Sequence, residues 1–360
     1  MYKRRLKKPD GRKLLLYSRH PIPSDIEAPG PSPHASSSSH LRWHPLRGEW
    51  IAYAGSRQNR TFLPPAQYNP LAPTTDPAHP TEVPGGAYDV AVFDNLFPTL
   101  TLDAIDSPPT IVDTAPGRGV CEVVVFTQDE RANLGSLPLW HLELLIDVWA
   151  DRYLELGALP DVQYVMPFEN RGVEVGVTLH HPHGQIYAYP MVPPIPAREL
   201  ERQKAYFAEH QRSLLGALIE AEIRDGRRII HLNDTVVAFL PVCATYSYEV
   251  WIAPKRPASS LTDLTSDERR DLAVALKTVL LKFDGLWARP FPYVMVFHQA
   301  PSDGAPHPES HLHLEFYPPY RMPGRLKYLA GSELGAGLFT ADTLPELKAE
   351  ELRAVEVSFE

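Results

Sequence analysis

The chain predicts an α+β fold made of two fused units, each a mainly antiparallel sheet with helices packed on one face. Three observations carry that expectation. A histidine motif occurs twice, as His181-Pro182-His183-Gly184-Gln185 and as His311-Leu312-His313-Leu314-Glu315. Each copy follows a closely similar stretch, Tyr164-Val165-Met166-Pro167-Phe168 in the first half and Tyr293-Val294-Met295-Val296-Phe297 in the second. Short apolar runs joined by turns alternate with helical patterns, and no strand leads into the glycine-rich phosphate loop that would support parallel βαβ winding.

The first twenty residues carry Lys3, Arg4, Arg5, Lys7, Lys8, Arg12, Lys13 and Arg19 against one acid, Asp10. A basic arm could touch polyanions, but a solvated, poorly ordered terminus is the better-supported reading. Residues 21–40 are rich in Pro and Ser, end in Ser36-Ser37-Ser38-Ser39, and read as a linker. Residues 1–40 are therefore expected to be a disordered extension, with the fold beginning near Leu41. Trp50-Ile51-Ala52-Tyr53 reads as a strand, followed by a loop with Arg57 and Arg60 and a long irregular, proline-rich segment over 63–86. Val90–Phe93 and Glu122–Phe126 read as buried strands. Leu142, Leu145, Ile146, Trp149 and Tyr153 recur at helical spacing within 139–156. Strands over 162–168 and 173–179 are expected around a turn at Asn170-Arg171-Gly172, with Ile186–Tyr189 continuing the pairing, then one long helix over 198–225. The second half repeats the scheme: strands at 228–241 and 247–253, a helix at about 265–285, and strands at 292–298 and 310–317. The expected units are 41–197 and 198–360.

With 360 residues, 44% of them hydrophobic, a sizeable core is available. No apolar run approaches the ~18–20 residues that span a bilayer, and no secretory signal is evident. Two cysteines, Cys121 and Cys243, cannot form a disulfide framework and read as buried strand thiols. A soluble cytoplasmic protein is expected, and the net charge of -9 argues against a nucleic-acid partner.

Residues two apart on a strand share a face, so His181, His183 and Gln185 are expected together. Pro182 cannot donate to a central ladder and marks an edge or a strand entrance. Gly184 removes a side chain where a phosphate could approach the backbone. A neutral imidazole is a nucleophile near neutral pH, and its phosphoramidate is transferable. Gln185 can donate a hydrogen bond to a phosphoryl oxygen but cannot act as acid or base, which favours transfer over hydrolysis. An HxH pair alone would favour ordinary strand histidines or zinc ligands; Pro182, Gly184, Gln185 and the second copy turn the balance to chemistry. In that second copy His311, His313 and Glu315 share a face, with His298 on the preceding strand. They suit either a divalent-metal cluster or a hydrogen-bonded polar patch, and the sequence leaves both open.

Over about residues 41–356 the chain resembles the galactose-1-phosphate uridylyltransferases, of the histidine-triad superfamily. The carriers are Phe168-Glu169-Asn170-Arg171-Gly172, His181-Pro182-His183-Gly184-Gln185, Phe291-Pro292-Tyr293, His298-Gln299-Ala300-Pro301 and His313-Leu314-Glu315-Phe316-Tyr317-Pro318-Pro319. The resemblance implies two fused triad-like units, the first catalytic and the second structural, metal-binding and contributing to a dimer. It implies ping-pong transfer of UMP from UDP-glucose to galactose 1-phosphate through uridylyl-His183, with His181 and Gln185 supporting. Nucleotide contacts would fall on Arg57, Arg60, Phe93, Asn95, Asn170, Gly176 and Thr178. A homodimer would lend Lys327, Tyr328, Gly331 and Glu333 to the neighbour's site, although Lys327 could equally be a solvated surface lysine.

The resemblance breaks at the metals. Where some members hold zinc by a Cys-x-x-Cys pair, a distant histidine and the first motif histidine, this chain has Asn69, Ala72, Glu130 and His181. A first-unit zinc is therefore expected to be absent. For the second family site Glu199, His298 and His313 match and Glu315 replaces a histidine, which leaves room for zinc or iron. No organic cofactor is implied. An adenylyltransferase or ADP-sugar phosphorylase of the same superfamily is the main alternative. A silent sugar-nucleotide binding protein is disfavoured by the intact His183 and Gln185, and a triad hydrolase by Gln185.

Overall fold

The computed structural model describes residues 1–30, 39–59 and 69–359. Its centre is an eleven-stranded antiparallel sheet. The strands are β1 (Tyr2–Lys7), β2 (Lys13–Ser18), β3 (Val90–Asp94), β4 (Val120–Val125), β5 (Tyr164–Arg171), β6 (His183–Tyr189), β7 (Ile229–Leu232), β8 (Val236–Phe239), β9 (Val250–Pro254), β10 (Tyr293–His298) and β11 (His313–Tyr317). Their spatial order is β1-β2-β3-β4-β6-β5-β10-β11-β9-β8-β7. Outward from the central β5–β10 pair, β5-β6-β4-β3 on one side is matched by β10-β11-β9-β8 on the other. The duplication seen in the sequence is thus a duplication of topology. The halves join where Phe168 pairs with Val296 and Arg171 with Tyr293.

Strand alternation assigns the two faces of the sheet. Val124, Ile186, Ile252 and Leu314 point to one face, where α1 (Leu139–Gly157), α4 (Ser266–Leu286) and α5 (Pro345–Arg353) cover them. α1 precedes β5 as α4 precedes β10, so the helices are duplicated too. Their apolar stripes interleave through Leu145, Trp149, Leu276, Leu280 and Phe283. α4 starts at a capping box in which Thr265 and Glu268 bond each other's backbone N–H.

The opposite face is covered differently in each half. In the second half α3 (Leu214–Asp225) sets Leu215 and Ile219 on Val237, Phe239 and Ala253. Helices on one face therefore describes α1, α4 and α5, while α3 takes the other face. The single helix expected over 198–225 is two, α2 (Pro194–His210) and α3. Gln211, at φ 54, closes α2 in the left-handed region, and the Ser213 hydroxyl accepts from Gly216 N at 3.1 Å to start α3. In the first half a small sheet of 40–44, 49–53 and 114–116 stands beside the main one, packing Leu41 and Trp50 near Cys121 and Tyr187.

The expected disordered extension is corrected in its first eighteen residues, which form the β1–β2 hairpin at the sheet edge. Leu14, Leu15, Leu16 and Tyr17 are fully buried. Lys3, Arg5, Lys8, Arg12 and Lys13 are not free for a polyanion, because the fold supplies acids for them. Lys3 meets Asp151 at 2.6 Å and also Glu155, and Arg5 meets Glu155 at 3.0 Å. Lys8 pairs with Glu82, Arg12 with Asp10 at 2.8 Å and Glu82 at 2.9 Å, and Lys13 with Glu122 at 2.8 Å. Composition gave no sign of these partners, which lie up to 152 positions away in the chain. Of the expected linker, 31–38 lie outside the described residues, whereas Ile26 is buried. Two smaller corrections follow. Cys121 is a buried strand thiol, but Cys243 is exposed in a turn. The strand expected over 173–179 is a short 3-10 turn, Val173–Val175, followed by irregular chain up to β6.

Candidate functional site

A cleft opens on the sheet face opposite α1, in the first half. Arg57, Phe93, Asn95, Thr178, His183 and Gln185 line it, together with Glu82 and the apolar Leu71, Phe97 and Val123. Six of the residues singled out from sequence are thereby gathered in one place. Strand geometry gathers them: His183 and Gln185 are alternate residues of β6, and Val123 of the paired β4 lies directly across from Gln185. Phe93 lies opposite Val123, next to last in β3. Asn95 follows it, and its side-chain oxygen accepts from Phe97 N at 2.9 Å, so its NH2 is the end left for a ligand. Arg57 reaches in from the 3-10 turn Gly55–Asn59, donating to Phe97 O at 3.1 Å and to the Tyr187 hydroxyl at 3.3 Å.

His183 is oriented by its own backbone neighbourhood. Its Nδ1 lies 2.7 Å from the carbonyl oxygen of His181. A carbonyl can only accept, so Nδ1 carries the proton and Nε2 holds the free lone pair. Burial holds the imidazole pKa below its ordinary value, and the bond to His181 O opposes that only in part. A neutral ring with a committed Nδ1–H is the state a nucleophile requires.

His181 itself does not share the cleft, which corrects the expectation of three side chains on one face. The strand begins only at His183, and Pro182 is its entrance in the middle of the sheet, not an edge. The His181 ring turns into the protein, with Nε2 at 2.8 Å from Thr127 O and Nδ1 at 3.0 Å from Asn69 Nδ2. Its link to the cleft is its carbonyl, which accepts from His183 Nδ1. Gly184 is also corrected. A Cβ there would lie 2.7 Å from Phe126 Cζ and 2.9 Å from Phe168 O, so the glycine admits core packing beneath the strand, not a phosphate above it.

The other expected contacts are less closely gathered. Asn170 lies on β5 opposite Val294, and Gly176, at φ +81, closes the turn after β5, facing open space. Arg60 lies outside the described residues. Lys327, Tyr328 and Gly331 are not part of the cleft lining. Lys327 is not a solvated lysine, because its ammonium bonds Thr340 O and lies 3.6 Å from Asp342 and 4.0 Å from Glu333. Tyr328 is 77% exposed, and Gly331 opens an exposed turn that includes Glu333. Glu82, which no sequence signal marked, is held in the cleft wall by Lys8 and Arg12.

The second half carries the counterpart of the His183 site. His313 Nδ1 lies 2.9 Å from His311 O, and His311 Nε2 2.8 Å from Pro254 O, as His183 and His181 bond His181 O and Thr127 O. The surroundings differ. Glu199 of α2, His298 at the end of β10, and His313 and Glu315 of β11 converge with donor atoms within 4.8 Å of one another. His298 pairs directly with His313, and Glu199 Oε2 lies 2.6 Å from His298 Nδ1. Burial disfavours charge on His313, but Glu315 and then Glu199 outweigh it and raise its pKa to about 9. Two imidazoles and two carboxylates fit a first-row divalent ion, whose binding would displace the proton that Glu315 and Glu199 otherwise hold on His313. The first-unit zinc positions do not fit one. Asn69 Oδ1 accepts from Leu71 N at 3.1 Å, so the amide presents its NH2 to His181 and to Glu130 Oε2, and Ala72 has no ligand atom.

A doubled β-α-β-β sheet, with a histidine motif at the same place in each half, defines a protein of two like units built by duplication. The chain belongs to the galactose-1-phosphate uridyl transferase family, whose N-terminal domain matches residues 32–193 and whose C-terminal domain matches residues 199–359. It is 35% identical over 326 residues to the galactose-1-phosphate uridylyltransferase of Thermotoga maritima, covering 88% of this chain and 98% of that protein. It is 34% identical over 363 residues to the Streptomyces lividans galactose-1-phosphate uridylyltransferase, covering 96% of each. A solved structure described as a uridylyltransferase superposes with a TM-score of 0.78 at 34% identity, covering 88% of this chain and 98% of that one.

Proposed function

We propose that the chain transfers UMP from UDP-glucose to galactose 1-phosphate, in two steps through uridylyl-His183, giving UDP-galactose and glucose 1-phosphate. The observation that carries this reading is the bond from His183 Nδ1 to His181 O, which leaves Nε2 as the nucleophile in the cleft. In the first step Nε2 forms a bond to the α-phosphorus and the bond to the bridging oxygen breaks, its electrons leaving on glucose 1-phosphate. In the second, a phosphate oxygen of galactose 1-phosphate attacks and the P–N bond breaks, returning its electrons to Nε2. No base is needed, since the second pKa of a phosphate monoester is near ~6. Gln185 donates to the phosphoryl oxygens through both steps without activating water.

Arg57 and Arg60 offset the diphosphate charge in this reading, and Phe93, Asn95, Asn170, Gly176 and Thr178 hold the nucleoside end. The first unit, 41–197 with the N-terminal hairpin added to it, performs the chemistry. The second, 198–360, holds a zinc or iron ion through Glu199, His298, His313 and Glu315, where the ion supplies structural cross-linking. In a homodimer the segment with Lys327, Tyr328, Gly331 and Glu333, of which Tyr328 is exposed, reaches the neighbour's cleft. The protein works in the cytoplasm on small-molecule substrates. Among the described residues no helix is long and apolar enough to cross a membrane.

The test is incubation with UDP-glucose and, separately, ADP-glucose, each labelled in the α-phosphate. Label from UDP-glucose is expected on the wild-type protein and not on His183→Ala, whose exchange rate should fall by at least about 10^4. Label from ADP-glucose alone would transfer the reading to the adenylyl alternative. Label on another residue would remove His183 from its role.

A further inference from the structure

Behind the nucleophile, and outside the cleft, three side chains form a closed hydrogen-bond relay that the transfer chemistry itself does not use. Each donor and acceptor in it is determined. Leu71 N–H can only donate, and it donates to Asn69 Oδ1 at 3.1 Å. The Asn69 NH2 therefore faces the other way, toward His181 Nδ1 at 3.0 Å and Glu130 Oε2 at 3.2 Å. His181 Nδ1 must then accept, which places its proton on Nε2, where Thr127 O at 2.8 Å accepts it. The ring of His181 is thus fixed in one neutral tautomer between two elements of the first half. The carbonyl of the same residue receives His183 Nδ1–H at 2.7 Å.

From this geometry we infer that Asn69, buttressed by Glu130, is a positioning residue for the transfer reaction, acting through His181 on the aim of His183. Asn69 pins the His181 ring, the pinned ring holds its carbonyl, and the carbonyl fixes the tautomer and direction of the His183 imidazole. A hydrogen-bonded amide here performs the orienting work that a cation would otherwise perform, and it excludes one. A cation at Nδ1 would need the amide oxygen turned toward it, which would strand Leu71 N–H. The inference rests on the reading of His183 as nucleophile. It adds a residue some distance along the chain that touches neither substrate nor the reacting atoms.

Two substitutions test it, read by the burst of glucose 1-phosphate released in the first half-reaction. Asn69→Ala removes the donor, so the burst rate should fall about 10- to 100-fold while the KM for UDP-glucose stays within about twofold, since a misaimed nucleophile loses rate and not binding. Asn69→Asp replaces the donor by an acceptor. His181 Nδ1 would then face the carboxylates of residue 69, Glu130 and the nearby Asp129, which raise its pKa. As an imidazolium the ring still bonds residue 69 and Thr127 O, and the relay holds. Above the raised pKa two lone pairs face each other and the ring is released. The variant should therefore show a new limb in its pH–rate profile, falling as pH rises, that the wild type lacks. A merely structural Asn69 would lower the thermal midpoint without creating that limb. A wild-type burst rate in Asn69→Ala, or a wild-type pH profile in Asn69→Asp, overturns the inference. Absence of any burst in the unsubstituted protein would instead remove the reading on which it rests.

Discussion

The same two ring-to-carbonyl hydrogen bonds recur in the His183 and His313 motifs, yet the two imidazoles are pushed in opposite directions. Burial holds His183 neutral, whereas His313 is drawn up to about 9 because Glu315 and Glu199 outweigh its burial. One side chain two positions on, Gln185 in one copy and Glu315 in the other, sets much of that difference. Gln185 is neutral and cannot exchange a proton, so in the proposed transfer it would steady a phosphoryl group without activating water. Gln185→His is accordingly expected to raise UMP release from UDP-glucose in the absence of acceptor relative to sugar exchange, while exchange falls by about 10^2 or more as the fixed donor is lost. The two rates, measured side by side, check this, and an unchanged ratio removes the role given to Gln185. At this scale His183 and Gln185 were legible in the sequence, because the two-residue period of a strand puts both in one cleft. The place of His181 was not, since the strand starts only after it and its ring follows Asn69 and Thr127 instead. Glu82 was invisible, its burial depending on Lys8 and Arg12 from the first hairpin.

At the level of elements, β6 is built between a cleft and a core. Its odd residues His183, Gln185 and Tyr187 serve the cleft side, and Gly184, Ile186 and Ala188 pack toward α1. Gly184→Ala would drive a methyl group against Phe126 and the Phe168 carbonyl; the ring can yield but the carbonyl is part of the β5–β6 ladder. A loss of about 1–3 kcal/mol is expected, read as a lower urea midpoint at unchanged slope. The β1–β2 hairpin is the second case. Leu14, Leu15, Leu16 and Tyr17 are fully buried, which is roughly 6–12 kcal/mol of transfer free energy at about 1.5–3 kcal/mol each. That is comparable to the whole stability of a typical domain, about 5–15 kcal/mol. A chain begun at Arg19 is expected to be insoluble or to lack a cooperative thermal transition, checked by soluble yield and calorimetry. The sequence suggested disorder here because eight basic residues outweighed a four-residue apolar run. Tertiary structure overruled it by bringing Asp151, Glu155, Glu82 and Glu122 to those charges.

For the molecule as a whole, the duplication places two equivalent sites on one continuous sheet, joined at β5 and β10. One copy presents His183, which burial keeps uncharged, to an open cleft. The other acquired Glu199 from α2 and Glu315 from β11 and became a compact cluster of ligand atoms. Protein purified without added metal is expected to carry close to one zinc or iron per chain by elemental analysis. Both His298→Ala and His313→Ala should lose it, and His181→Ala should retain it. Metal lost in the His181 variant alone would transfer the site to the first half and contradict the amide chemistry of Asn69 and the lack of a ligand atom on Ala72. Removal by chelator should lower the thermal midpoint, because two carboxylates would then face each other across the cluster with only His298 and His313 between them.

By itself the sequence determined the doubled α+β architecture, the strands that carry each motif, the helices α1 and α4, and that His183 and Gln185 share one face. All of these are set by local periodicity, or by a repeat whose two copies report on each other. Only the tertiary structure decided which side chains share the cleft, what the N-terminal charges pair with, where the 198–225 helix breaks, why residue 184 must be glycine, and that Asn69 and Glu130 meet His181. Each of those depends on contacts between segments far apart in the chain. Such contacts are settled by packing and by the pairing of buried charges and hydrogen-bonding groups, for which no short stretch of sequence carries a signal.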